Sequence, residues 1–232
     1  MNNSDVSLED KLIYAHKGFF DRESTKLYRE NSLEVVKIAS SKDYIQAIEI
    51  DVRKSSDGIL YCYHGTLWQY IFLLKIPRSF ATLQKKYHVA TLKDILNAIS
   101  TDKIIALDIK DTKIKREDVL NAFAGKKFKE VVIGNKSVSY LKQFKNMPPE
   151  FTKMFNGNIL SVFYDLKKLR EDNFKYFEIV FPFLATKNIL RKIKENGLEW
   201  IGFPAVIFFS KKSYLKCVQK YSIKYLPAYF VK

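Results

Sequence analysis

Glycine and proline are scarce in this chain of 232 residues, eight and six of them. Disordered and low-complexity chains accumulate those residues, so that class is excluded, and 47% hydrophobic residues suffice for a packed core. Cysteine is scarcer: Cys62 and Cys217 stand far apart in apolar surroundings. A disulfide framework or a thiolate metal cluster has no basis here, and a reducing compartment fits. No apolar run is long enough to cross a bilayer, and the opening MNNSDVSLEDKLIYAHKG lacks the basic start and apolar centre of a signal peptide. The expectation is a cytoplasmic protein, with contact to a membrane surface at most.

What the chain has in excess is positive charge. Forty Lys and Arg against twenty-five Asp and Glu give +15, a field that attracts phosphate-bearing partners of any kind. The lysines are spread through KKY, GKKFK, DLKKLR and FSKKS, with no basic tail and no RNA-binding signature. That distribution describes a solvated basic surface, so no specific nucleic-acid binding is expected.

Short β-rich runs alternate with segments of helical spacing: LIYAH, QAIEIDV, KIIALDIK, EVVIG, ILSVFYD, FEIVFPF, LEWIGFP and IKYLPAYF. Between them the spacing predicts helices over Ser32–Ser40, Thr91–Ala98, Arg116–Ala124, Ser137–Phe144, Leu166–Phe174, Lys187–Glu195 and Lys211–Tyr221, several opened by Ser or Thr in capping positions. About eight strand–helix units in one chain predict a (β/α)8 TIM barrel forming a single domain over 1–232. Its C-terminal end is read as open to degeneration or truncation, because EIVFPF and IGFPAVIFF are ambiguous between one strand and two. Ser56-Asp57-Gly58 predicts a tight turn, after which ILYCYH returns His64 toward the end of the second strand. The run TLWQYIFLLKIPRSF reads as a buried helix, with a lipid-facing loop as the alternative.

In QAIEIDV, Glu49 and Asp51 are two residues apart and share one face of a strand, while Ile48, Ile50 and Val52 share the other. Two acids aimed into a barrel mouth repel each other unless protonated or bridged by a cation. The structural alternative is a polar strand face with salt bridges. In IIALDIKD the pattern recurs: Asp108 and Lys110 lie opposite Ile105, Leu107 and Ile109. A third inward acid completes an oxygen-rich site suited to one divalent cation, Mg²⁺ or Ca²⁺, and Lys110 is placed to hold a phosphate oxygen. Asp111 is the rival ligand, but its parity sends it toward the helices. The chain has only three histidines. His16 ends the first strand and His64 the returning segment, so both flank the acid-bearing strand, and two imidazoles can divide the roles of base and acid. His88, before a helix, reads as structural.

The order HKG, ENSLEVVKIA, IEIDVRKSSDG, YHGTL, TLKDILNAI and LDIK resembles the glycerophosphodiester phosphodiesterase family over roughly the first 110 residues. The resemblance implies a hydrolase of lipid metabolism acting on a small-molecule or lipid-derived phosphodiester. It implies His16 and His64 as the acid/base pair, Glu49, Asp51 and Asp108 as metal ligands, Lys17 beside the phosphate, and Glu30 and Asn31 as supports behind the metal. The sequence also departs from the family pattern. Lys17 stands where Arg is usual, a point charge in place of a bidentate fork. Asp108 stands where Glu is usual, and Gly65 follows His64 where Asp is common, as in the related sphingomyelinase D group. The usual closing strands are not recognisable, unless IKYLPAYFVK is what remains of them. Two alternatives follow: a cyclising enzyme of the sphingomyelinase D or lysophospholipase D type, and a non-catalytic basic barrel that binds anionic polymers.

Overall fold

The computed structural model describes residues 11–65, 78–157, 166–179, 187–202 and 225–231. The strands, in chain order, are β1 (Leu12–Ala15), β2 (Ala47–Lys54), β3 (Leu60–Cys62), β4 (Ala90–Thr91), β5 (Ile104–Ile109), β6 (Glu130–Asn135), β7 (Phe151–Gly157), β8 (Phe174–Ile179), β9 (Glu199–Gly202) and β10 (Tyr225–Pro227). Between them run α1 (Ser24–Leu27), α2 (Leu33–Ser40), α3 (Phe80–Tyr87), α4 (Leu92–Asn97), α5 (Arg116–Ala122), α6 (Val138–Leu141), α7 (Leu166–Glu171) and α8 (Lys187–Glu195), and α9 (Ala228–Val231) follows the last strand.

The sheet runs β10-β1-β2-β5-β6-β7-β8-β9, and every neighbouring pair on that path is parallel. Between the two ends of the path, the Tyr225 hydroxyl on β10 donates to the Glu199 carboxylate on β9. This is the (β/α)8 barrel that the alternation predicts, and IKYLPAYF supplies its eighth strand. β3 and β4 stand off the path as an antiparallel extension of β2, with Val52 opposite Cys62 and Lys54 opposite Leu60. The turn before β3 carries Gly58 at φ 87°, a left-handed conformation that costs other residues about 1–2 kcal/mol.

The outward faces explain why these segments are strands. Ile48, Ile50 and Val52 on β2, Ile105, Leu107 and Ile109 on β5, and Val131 and Ile133 on β6 are buried together with Val35, Val36 and Ala39 of α2 and Ile95 of α4. Each such side chain removed from water contributes about 1.5–3 kcal/mol. Ser32 and Thr91 fix where α2 and α4 begin, since Ser32 Oγ accepts from the Val35 N–H at 3.3 Å and Thr91 Oγ1 from the Asp94 N–H at 3.0 Å. Inside the barrel, Tyr14, Ala47, Ile104, Val132, Met154, Tyr176 and Tyr225 form a second, smaller core. Around Glu130, at the start of β6, Tyr176, Lys175 and Thr152 donate at 2.8–3.0 Å and build a polar layer at the N-terminal end.

Two sequence readings need correction. The fifth barrel strand is Phe151–Gly157 and not ILSVFYD, which lies outside the described residues. FTKMFNG hides its strand character because Asn156 faces the interior and the outward Lys153 stacks over the Phe174 ring at 4.8 Å. The seventh helix is shorter than expected, because Phe174 already begins β8. The run predicted as helix over Lys211–Tyr221 lies outside the described residues, as do residues 66–77 of the TLWQYIFLLKIPRSF segment. Among the described residues no helix is long and apolar enough to cross a membrane.

Candidate active site

At the C-terminal ends of β1, β2 and β5 the strand register brings the acids together. Asp51 is the direct partner of Asp108, and Glu49 of Ala106. One oxygen from each of Glu49, Asp51 and Asp108 lies within 4.8 Å of the other two. The Lys110 ammonium sits 2.8 Å from Asp51 Oδ1 and also hydrogen-bonds Asp108. Asp51 Oδ1 is buried and has no hydrogen bond of good geometry beyond that ion contact. Oxygens around a calcium or magnesium ion at roughly 2.0–2.6 Å are separated by at most roughly 4–5 Å, so this all-carboxylate donor set fits a hard divalent cation.

Three carboxylates beside one ammonium cannot all stay charged without help. Burial pushes Glu49 well above the usual carboxylate range, and the negative charges of Asp51 and Asp108 push it further. Burial raises Asp108 as well, against the pull of Lys110. For Asp51 the order is reversed: burial would raise it, but Lys110, His64 and Lys17 together hold it at about 2. Asp51 therefore carries the negative charge most firmly.

The supports of the acids come from the HKG and EN motifs. Lys17 and Gly18 turn the chain sharply after β1, at φ 55° and 85°, and a Cβ on Gly18 would lie 2.7 Å from Val35 Cγ1. That turn aims the Lys17 N–H at Glu49 Oε2, 2.8 Å away. Its carbonyl accepts from the Asn31 N–H at 2.8 Å. Asn31, left-handed at φ 57° and 1% exposed, clamps Asp51 twice: Nδ2 donates to Asp51 Oδ2 at 2.8 Å, and Oδ1 accepts from the Asp51 N–H at 3.0 Å. Glu30 takes the Lys17 ammonium at 3.0 Å, so Lys17 reaches the cavity already paired.

His16 Nε2 lies 3.7 Å from Glu49 Oε2, and the Tyr229 hydroxyl of α9 lies 3.4 Å from its Nδ1. His64 Nδ1 is 2.8 Å from the Gly65 carbonyl and 3.9 Å from Glu30 Oε1. Burial, followed by the nearby Lys17, lowers the basicity of His16; burial also lowers His64. The segment carrying His64 is anchored by buried Arg53, which donates to the Tyr63 and His64 carbonyls at 2.9 and 3.1 Å and ion-pairs with Asp111. Asp111 is not part of the acid cluster; it accepts from Arg53 and from the Lys54 N–H. His88 caps α3 in the left-handed conformation, with its carbonyl hydrogen-bonded by Arg29.

Of these groups His16, Lys17, Glu49, Asp51, His64, Asp108 and Lys110 line one cavity of about 440 Å³ that reaches down the barrel axis. Sequence reasoning missed several of its polar members: Lys136, Asn156 and Glu178 line it, and Tyr229 touches His16. Asn156 Nδ2 donates to Asp108 Oδ1 at 3.1 Å. Glu178 is pushed up to about 8, by burial first and by Asp108 second.

No family model matches this chain, and no curated protein matches it in sequence. Solved structures do match. A glycerophosphodiester phosphodiesterase from Thermotoga maritima superposes with a TM-score of 0.67 at 18% identity, covering 94% of this chain and 93% of that one. An Oleispira antarctica phosphodiesterase in complex with the product sn-glycerol-3-phosphate gives 0.72 at 17% identity, with 95% and 94% covered. A glycerophosphodiester phosphodiesterase from Agrobacterium tumefaciens gives 0.68 at 16%, with 96% and 100% covered. The chain has the glycerophosphodiester phosphodiesterase fold. In TIM-barrel enzymes, chemistry sits at the C-terminal ends of the strands, the end where this chain gathers its acids and histidines.

Proposed function

We propose that the protein is a phosphoric diester hydrolase that splits a glycerophosphodiester into glycerol phosphate and an alcohol, using one divalent cation, Mg²⁺ or Ca²⁺. The observation that carries this reading is the meeting of Glu49, Asp51 and Asp108 within 4.8 Å of one another, in a cavity that His16, His64 and Lys110 also line. The fold likeness supports it, and so does the sn-glycerol-3-phosphate held by the Oleispira structure.

Glu49, Asp51 and Asp108 would hold the cation, which when bound offsets negative charge on the phosphoryl oxygens. Asn31 fixes the Asp51 carboxylate, and the Lys17 N–H fixes that of Glu49, so both are oriented before any ligand arrives. Lys110 and Lys17 supply positive charge for the remaining phosphoryl oxygens. One imidazole takes the proton of the attacking water or hydroxyl as the new P–O bond forms. The other gives a proton to the alcohol oxygen as the ester P–O bond breaks. Each transfer is worth roughly 10²–10⁴-fold in rate.

The test is turnover of glycerophosphocholine by wild type and Asp51→Asn, with Mg²⁺, Ca²⁺ or EDTA. Asp51→Asn keeps the shape and removes the anion. Wild-type activity with either ion, lost in EDTA and in the variant, is expected; full activity of Asp51→Asn would refute the ligand assignment.

A further inference from the structure

On the outside of the barrel, at the end opposite the acids, lies a second cavity of about 350 Å³ that the proposed mechanism does not use. It opens between the helical turn Lys142–Phe144, the first residues of β7 and the turn that leads into β8. Ile133, Phe144, Met147 and Phe151 supply apolar walls, and Lys153 supplies charge. Small-molecule sites are commonly this large, apolar in most of their lining, with a few polar groups that fix the ligand.

Lys153 is the unusual member. It is 4% exposed, yet its ammonium makes no hydrogen bond or ion pair among the described residues and rests over the Phe174 ring at 4.8 Å. Lysines are almost never buried this far unless paired, because an ammonium taken out of water is costly until an opposite charge answers it. The acid that bears on it most, Asp172, is engaged by Lys142 at 3.3 Å. Burial lowers the basicity of Lys153, Lys145 and Lys142 lower it further, and Asp172 only partly offsets them. The ammonium is not sealed into the core, since it keeps accessible surface on the cavity. Lys145 and Glu171, at the rim, are exposed, where water and salt screen their charges. The cavity therefore presents one buried, unanswered positive charge beside an apolar wall.

From this arrangement we infer that the outer cavity binds a small organic monocarboxylate, with its carboxylate on the Lys153 ammonium and its apolar body against Phe144, Met147 and Phe151. A neutral ligand would leave the ammonium unanswered. A phosphate would bring roughly two negative charges, for which the second nearby ammonium, Lys142, is already engaged, and it would leave the apolar wall uncovered. The inference is independent of the hydrolase reading, because the cavity shares no residue with the acid cluster.

Methionine methyl groups tell the two cavities apart, since Met147 lines the outer one and Met154 the barrel interior. Protein isotopically labelled at its methionine methyls is titrated in EDTA, which keeps the acid cluster free of metal, and followed by NMR. The probes are benzoate, hexanoate, inorganic phosphate and benzyl alcohol, the neutral analogue of benzoate. The Met147 signal should shift saturably with the carboxylates while Met154 stays in place. Benzoate should bind roughly 10–100-fold more tightly than benzyl alcohol, the size of a charge-assisted hydrogen bond. Lys153→Leu should abolish that preference. Lys153→Gln, which keeps a donor without the charge, should lose most of it, and gives the readout if the leucine variant does not fold. No Met147 shift with either carboxylate, equal affinity for benzyl alcohol, or full preference in both variants overturns the inference. A shift of Met154 in place of Met147 overturns it too, since the carboxylate would then sit inside the barrel. Phosphate binding more tightly than benzoate at Met147 would mark a site for inorganic anions and overturns the assignment to an organic carboxylate.

Discussion

Replacing Asn31 is the sharpest probe of how the acids are held. Its amide makes one bond to the Asp51 carboxylate at 2.8 Å and one to the Asp51 N–H at 3.0 Å, with Asn31 1% exposed. Asn31→Ala removes a charge-assisted hydrogen bond, about 1.5–3 kcal/mol, and strands a buried N–H, about 1–3 kcal/mol. It also forces alanine into φ 57°, about 1–2 kcal/mol that asparagine tolerates better. The terms overlap, so the expected loss is about 4 kcal/mol, a large share of the 5–15 kcal/mol that holds an ordinary domain together. Asn31→Gly loses the same bonds without the backbone penalty and should be about 1–2 kcal/mol more stable than Asn31→Ala. Guanidinium unfolding followed by circular dichroism, in EDTA, gives both values. A loss below about 1 kcal/mol, or identical glycine and alanine variants, would refute the reasoning from this clamp.

Lys110→Met should lower stability in EDTA by about 3–5 kcal/mol, because it leaves the carboxylates without their ammonium; added Mg²⁺ or Ca²⁺ should raise its melting temperature more than that of wild type, and equal shifts would contradict the charge account. Arg53→Leu removes the anchors of the Tyr63 and His64 carbonyls but touches none of the three acids, so kcat should fall roughly 10–100-fold while metal affinity, read by calorimetry, stays near wild type. His16→Ala and His64→Ala should each lower kcat on an alkyl leaving group by roughly 10²–10⁴-fold, with non-additive loss in the double variant. A p-nitrophenolate leaving group should rescue whichever variant has lost the acid, and near-full activity of both single variants on the alkyl diester would end the two-histidine mechanism.

Much of the site could be read from alternation alone. Glu49 with Asp51, and Asp108 with Lys110, stand two residues apart against aliphatic partners, so once the strands were recognised their common face followed. The short HKG and EN signals were legible through the family resemblance, while the left-handed turns at Lys17 and Asn31 that make them work appear only in the structure. What escaped was set by neighbouring strands. Asn156 lies in FTKMFNG, where the inward amide and the outward Lys153 over Phe174 break the apolar pattern, and the more hydrophobic ILSVFYD drew the strand assignment. Glu178 sits in a run recognised as a strand, but nothing within FEIVFPF tells which face meets the cavity; its register with Asn156 does. The pairing of Lys17 with Glu30 arises from a contact across thirteen residues that spacing does not encode. Tyr229 reaches His16 from the far end of the chain, the kind of contact only barrel closure creates.

The most direct test of the account is a phosphorus NMR time course of the purified protein with glycerophosphocholine, run in parallel with Mg²⁺, with Ca²⁺ and with EDTA. The account predicts that the diester signal gives way to a glycerol phosphate monoester signal in the presence of at least one of the two ions, and stays unchanged in EDTA. A persistent cyclic phosphate product, or conversion at equal rate in EDTA, would contradict metal-dependent hydrolysis by this site.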